Sequence, residues 1–106
     1  HGPIALISAD TPIVVIAPND DLFEKSLSNL QEVAARHGPV LLLSDSAGIR
    51  KAGDAPSLSV QMPDCHPFVA PIIYSVPIQL LAYHVACVKG TAVDQPRNLA
   101  KSVTVE

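Results

Sequence analysis

No basic block interrupts this chain. Its 7 lysines and arginines stand against 10 aspartates and glutamates, for a formal net charge of −3. Such a surface lacks the electrostatic footprint of a phosphate-backbone binder, so nucleic acid is excluded as a partner. Cysteine is scarce as well. Cys65 and Cys87 are the only two. Neither belongs to a C-x-x-C pair and no secretory signal precedes them, which reads as two reduced thiols in a cytosolic protein. His37, His66 and His84 do not pair with another His, Cys or Asp at metal-ligand spacing, so no metal site is expected. His37 and His66 fall at helix or loop ends. His84 lies on an apolar helix, where a hydrogen-bonded interior role is the simplest expectation. Asp45, Asp54 and Asp64 are loop acids without an obvious partner. Internal repeats and low-complexity segments are absent, and so is an initiator methionine.

One absence is positional. No formally charged residue occurs from Cys65 to Val88, a stretch long enough to span a bilayer. Pro67, Pro71, Pro77, Gln79 and His84 interrupt it, so the expectation is a helix buried in a soluble α/β core, with no membrane. At 106 residues the chain is one domain at most, with a limited core. It opens in the middle of a motif and reads as a piece of a longer protein that ends at its natural C-terminus. The alternative, Gly2-Pro3 as a protease-cleavage scar, is disfavoured because Ile4 to Ile7 continue the pattern.

What is present alternates strand and helix. Pro3 can start a brief helix through Ile7, and Asp10-Thr11-Pro12 breaks it. Residues 12–17, P-I-V-V-I-A, form a continuous apolar run of the kind seen in strands covered on both faces. Asp21 and Glu24 make a capping box for a helix over 21–37. There Phe23, Leu27, Leu30 and Ala34 recur at helical spacing, Lys25, Ser28, Asn29 and Glu32 lie toward water, and Gly38 is the expected C-cap. Residues 39–44 read as a second buried strand and 45–56 as a loop without helical period. Residues 57–62 read as a third strand with one better-covered face, as at a sheet's edge. A second helix is expected over 68–89, kinked at Pro77 and nearly buried. The order strand, helix, strand, strand, helix suggests the C-terminal half of a doubly wound, flavodoxin-like α/β sheet: three strands with flanking helices. From the pattern alone, the last two strands could also be antiparallel.

The tail is the most specific stretch. Asp94-Gln95-Pro96-Arg97-Asn98-Leu99-Ala100-Lys101-Ser102-Val103-Thr104-Val105-Glu106 resembles the C-terminal signature of the glucosamine–fructose-6-phosphate aminotransferase (isomerizing) family. Gln79-Leu80-Leu81-Ala82-Tyr83 and the opening His1-Gly2-Pro3 fit the same family. The resemblance covers the whole chain and implies the C-terminal part of the second sugar isomerase (SIS) domain, residues 1–106, with 94–106 as its tail. It favours three parallel strands and implies that two earlier ones lie outside this sequence, leaving the first strand with an open edge.

The resemblance also implies a chemistry. The parent enzyme converts fructose 6-phosphate and glutamine to glucosamine 6-phosphate and glutamate, with no cofactor, as a homodimer in the cytoplasm. Read on its own, Lys101 is a solvated charge near a chain end; the family's tail lysine forms an imine with the keto group of the open-chain sugar. Ala100 matches a backbone contact to that sugar, and Arg97, Asn98 and Leu99 match the tail that closes over the site. His1 matches a histidine that reaches a neighbouring subunit's site and helps open the sugar ring, a role suited to imidazole's near-neutral pKa. The family's proton-transferring glutamate, its Ser/Thr-rich phosphate loop and its glutamine-hydrolysing domain, the source of ammonia, are not in this sequence. The alternative is a SIS module that binds phosphosugars without turning them over; such a module has no need of the tail lysine.

Overall fold

The apolar runs become three parallel strands: β1 (Ile13–Ile16), β2 (Val40–Ser44) and β3 (Leu58–Gln61), in the order β1-β2-β3. Ile13 sits opposite Val40, and Leu41 opposite Leu58. The expected boundaries hold to within one or two residues, and the antiparallel alternative is ruled out. The computed structural model describes residues 2–97. The chain divides after Tyr74 into two compact units. The first contains the sheet, α1 (Phe23–Ala34) and α2 (Ser46–Ala52); α3 (Ala70–Val88) begins there and continues into the second. A single 3-10 turn, Pro3–Leu6, stands where Pro3 was expected to start a short helix.

Period-two alternation explains the core. Val40 and Leu42 point to the sheet face on which Phe23, Leu30 and Ala52 pack, with Ala17, Val15, Leu27 and Ile49 around them. Phe23, Leu30, Val40 and Leu42 are almost completely buried. Each contributes on the order of 1.5–3 kcal/mol. Lys25, Ser28, Asn29 and Glu32 lie on the exposed side of α1, as its periodicity requires. Lys51 Nζ joins the two helices at the surface, 2.9 Å from Asn19 Oδ1, 3.3 Å from Glu24 and 5.3 Å above the Phe23 ring. Its exposure makes the ion pair itself worth little.

Several local expectations are corrected. No capping box starts α1: Asp20 Oδ1 accepts from the Leu22 N–H at 2.9 Å, and the helix carries no side-chain cap from Asp21 or Glu24. The residue with positive φ after α1 is His37, at 63°, not Gly38. Gly38 is small for another reason: a Cβ there would lie 2.7 Å from Ile7 Cγ2 and 2.9 Å from Ile13 Cδ1. The 45–56 segment is not a plain loop. Asp45 caps α2 by accepting from the Gly48 N–H at 2.9 Å, and Gly53 ends it with φ of 55°. Gly48, a poor helix former, hid the period.

Two burial expectations also fail. β1 is covered on one face only; Val14 and Ile16 on the other are 39% and 45% exposed. Leu58 and Val60 of β3 are exposed on the same face, while Leu43 of β2 between the two strands is buried. α3 is not nearly buried: only Ala70 and Tyr74 are, and His84 is an exposed residue packing edge-on against Tyr83 at 5.3 Å. By length and composition α3 could cross a membrane, with 19 residues at mean hydropathy 1.5. Apolar residues all round a helix imply cover on every side but do not say which chain supplies it.

Candidate active-site tail and strand-end cavity

Of the residues that the resemblance assigns to the sugar site, Arg97 alone is described. His1, Asn98, Leu99, Ala100 and Lys101 lie outside the described residues. What leads to the tail is well defined. α3 stops in a Schellman arrangement: Gly90 has φ of 69°, its N–H donates to Cys87 O at 3.0 Å, and the Thr91 N–H donates to Ala86 O at 3.0 Å. The positive φ is the reason for glycine at this position. The Thr91 hydroxyl adds a second bond to Ala86 O at 2.9 Å. The chain then turns back, and Thr91, Val93, Pro96 and Arg97 face Tyr83 and Ala86 across an open hollow of about 840 Å³. Hydrogen bonding with the Cys87 thiol, one helical turn along, raises the Tyr83 phenol above its ordinary value. The hollow therefore has an apolar floor, a protonated phenol and a guanidinium on its wall. This is a setting for an anionic or polyhydroxylated molecule.

A second cavity lies at the carboxyl ends of the strands, within the first unit. Its volume is about 270 Å³, and the loops after β1, β2 and β3 bring Asp20, Asp45 and Asp64 to its wall. Asp45 accepts from the Asn19 N–H at 2.8 Å as well as from Gly48. Burial pushes its pKa up, but these N–H donors outweigh burial and hold it below 3.8. Tyr74 closes the inner end. Burial, and then the negative field of Asp45, raise its pKa to about 12, so it is a hydrogen-bond donor at neutral pH. The Asp45 backbone N–H approaches the phenol oxygen and opposes that rise, without reaching hydrogen-bond geometry. Sequence reasoning treated Asp45 and Asp64 as unrelated loop acids and gave Tyr74 no part. The signal that could have found the cavity is the rule that α/β sheets place ligands beyond the carboxyl ends of their strands. Among the described residues, no group of three or more His, Cys, Asp or Glu is placed to hold a metal ion.

Known proteins match this chain end to end. It is 62% identical over 106 residues to a glutamine–fructose-6-phosphate aminotransferase (isomerizing) of Zymomonas mobilis, spanning 18% of that protein's length. It is 59% identical over the same span to the aminotransferase of the same name from Sphingobium yanoikuyae, and there it covers 68% of the relative. The chain belongs to the glutamine–fructose-6-phosphate aminotransferase (isomerizing) family. No general family model matches it. Among solved structures, the C-terminal domain of glucosamine–fructose-6-phosphate aminotransferase from Francisella tularensis superimposes with a TM-score of 0.83 at 47% identity, covering 90% of this chain and 27% of that one. The α/β fold with parallel strands is thus the fold of the family's C-terminal domain. The chain is less than a fifth of the Zymomonas relative's length. This puts the bare face of β1 and the bare sides of α3 in context: most of a full-length relative lies outside the matched region.

Proposed function

We propose that the intact protein carrying this chain converts fructose 6-phosphate and glutamine to glucosamine 6-phosphate and glutamate. In this reading the chain is the C-terminal part of the second sugar isomerase domain, with 94–106 as its tail. The observation that carries the proposal is identity of 54–62% across every residue of the chain to aminotransferases of that name. The likeness to the Francisella C-terminal domain supports it.

The chemistry divides among named groups. The Lys101 amine attacks the C2 carbonyl of open-chain fructose 6-phosphate, a water leaves, and an imine forms. Ammonia released from glutamine displaces the lysine amine from C2, and a proton then moves from C1 to C2, so that the C1 alcohol becomes the aldehyde and the C2 imine becomes the amine. Glutamine hydrolysis consumes a water, and exchange of the sugar's carbonyl oxygen for nitrogen releases one, so the sum balances. An imine needs a neutral amine, and a free lysine with pKa about 10.4 is almost wholly protonated at pH 7. A closed, dehydrated site disfavours the charge and lowers that pKa. The tail provides the closure. In this reading Pro96 stiffens its start, Arg97, Asn98 and Leu99 are assigned to closing over the site, and Ala100 to the sugar contact. His1 serves a neighbouring subunit's site, so the working unit is a homodimer. The substrates are water-soluble metabolites and the setting is the cytoplasm.

The test is a stoichiometric assay on the intact protein. Glucosamine 6-phosphate should form from fructose 6-phosphate only when glutamine is supplied, with glutamate appearing in equal amount. Glutamine hydrolysis with no amino sugar formed under any condition would contradict the proposal.

A further inference from the structure

We propose that the cavity at the carboxyl ends of β1, β2 and β3 binds a small hydroxylated primary amine, its ammonium held by Asp45 and Asp64 and one of its oxygens accepting from the Tyr74 hydroxyl. Tyr74 is 4% exposed and its side chain lines the cavity; its hydroxyl, in the field of Asp45 and Asp64, has no hydrogen-bond partner among the described residues. A buried phenol of this kind costs about 1–3 kcal/mol if it stays unpaired. Its own proton has no acceptor, so the complementary ligand atom is an oxygen.

The charge of the wall chooses the rest of the ligand. Asp20, Asp45 and Asp64 line the cavity, and among the described residues no lysine, arginine or histidine does. Among the described residues neither ion pair involves Asp64; the pairs are Arg36 with Glu32 and Lys51 with Glu24. The loops at this end of a sheet lead into helix N-termini, which ordinarily attract anions with about half a unit of positive charge each. Here those donors are already engaged. Asp20 takes the Leu22 N–H, Asp45 takes the Gly48 N–H, and His66 Nδ1 takes the Phe68 N–H at 3.1 Å. Three full carboxylates outweigh what remains, so a phosphate is rejected and an ammonium selected. A volume of about 270 Å³ falls just below the range of drug-sized pockets and fits a smaller molecule.

The test uses the intact protein and three probes that share one carbon skeleton and differ in charge: 3-amino-1,2-propanediol, glycerol and glycerol 3-phosphate. Saturation-transfer NMR titrations should rank the amine first at this site. Tyr74→Phe keeps the ring and removes only the donor, and should weaken amine binding about five-fold. Asp64→Asn, on an exposed loop that does not disturb the core, should weaken it about ten-fold. Three results would each overturn the proposal: no binding of the aminopropanediol, equal affinity in both variants, or glycerol 3-phosphate binding that Tyr74→Phe abolishes. Failure of amino-sugar formation has no bearing on these readouts, so the two proposals stand or fall separately.

Discussion

Gly48 sits inside α2, where alanine is ordinarily the better residue by about 1 kcal/mol. The structure reverses that sign. A Cβ at Gly48 would press on the buried Ser44 hydroxyl, which is bonded to Ala17 O, and would come within 2.8 Å of Phe23 Cε2. Gly48→Ala is therefore expected to destabilise the intact protein by about 1–3 kcal/mol, read as a lower urea midpoint; an unchanged or higher midpoint would refute the packing account. Asp45 gives a pH-dependent counterpart. Its folded-state pKa lies below 3.8 because backbone N–H groups outweigh burial, so the ionised carboxylate favours the fold. That contribution is whole above the unfolded value and is lost as pH falls through the folded one. Asp45→Asn should thus melt lower than the parent near pH 6, and the gap should close as pH falls through the folded-state value, beneath the ordinary carboxylate range. A gap that widens in acid would show that Asp45 is not stabilised as an anion. The candidate site was legible at this scale only through resemblance. A lysine near a chain end has no physical mark of catalysis; the register of its neighbours supplied the assignment.

At the scale of elements, α3 carries the sharpest expectation. Phe68 in the preceding turn is 86% exposed, and Ile72 and Val88 are 70% and 89% exposed. An apolar surface of this kind drives association. The 106-residue chain made by itself should form oligomers in sedimentation velocity, and Ile72→Glu combined with Leu80→Glu should shift it toward monomer. A monomeric parent chain would contradict this. The strands were legible because 12–17 and 39–44 are unbroken apolar runs, a pattern with few alternatives at that length. α2 was not, because seven residues with a glycine at the third hold too little period to read. α3 was legible as a helix and misread as buried, since hydrophobicity reports a need for cover and the matched region is 18% of the Zymomonas relative's length. Gly38 was seen as special for the wrong reason. Its constraint is packing against Ile7 and Ile13, distant in sequence, and local turn rules do not see it.

For the whole molecule, the chain by itself should make no glucosamine 6-phosphate. Positioning is worth on the order of 7–11 kcal/mol in enzymes, and the matched region is a minor part of full-length relatives. Turnover above a buffer blank by the purified chain would contradict that. The central claim is that Lys101 attacks the sugar, and borohydride trapping reads it most directly. The intact protein is incubated with labelled fructose 6-phosphate and borohydride, then digested and mapped by mass. The account predicts label on Lys101, and in Lys101→Arg both label and sugar isomerisation lost while glutamine binding persists. Label on another lysine such as Lys89, or trapping undiminished in Lys101→Arg, would contradict it.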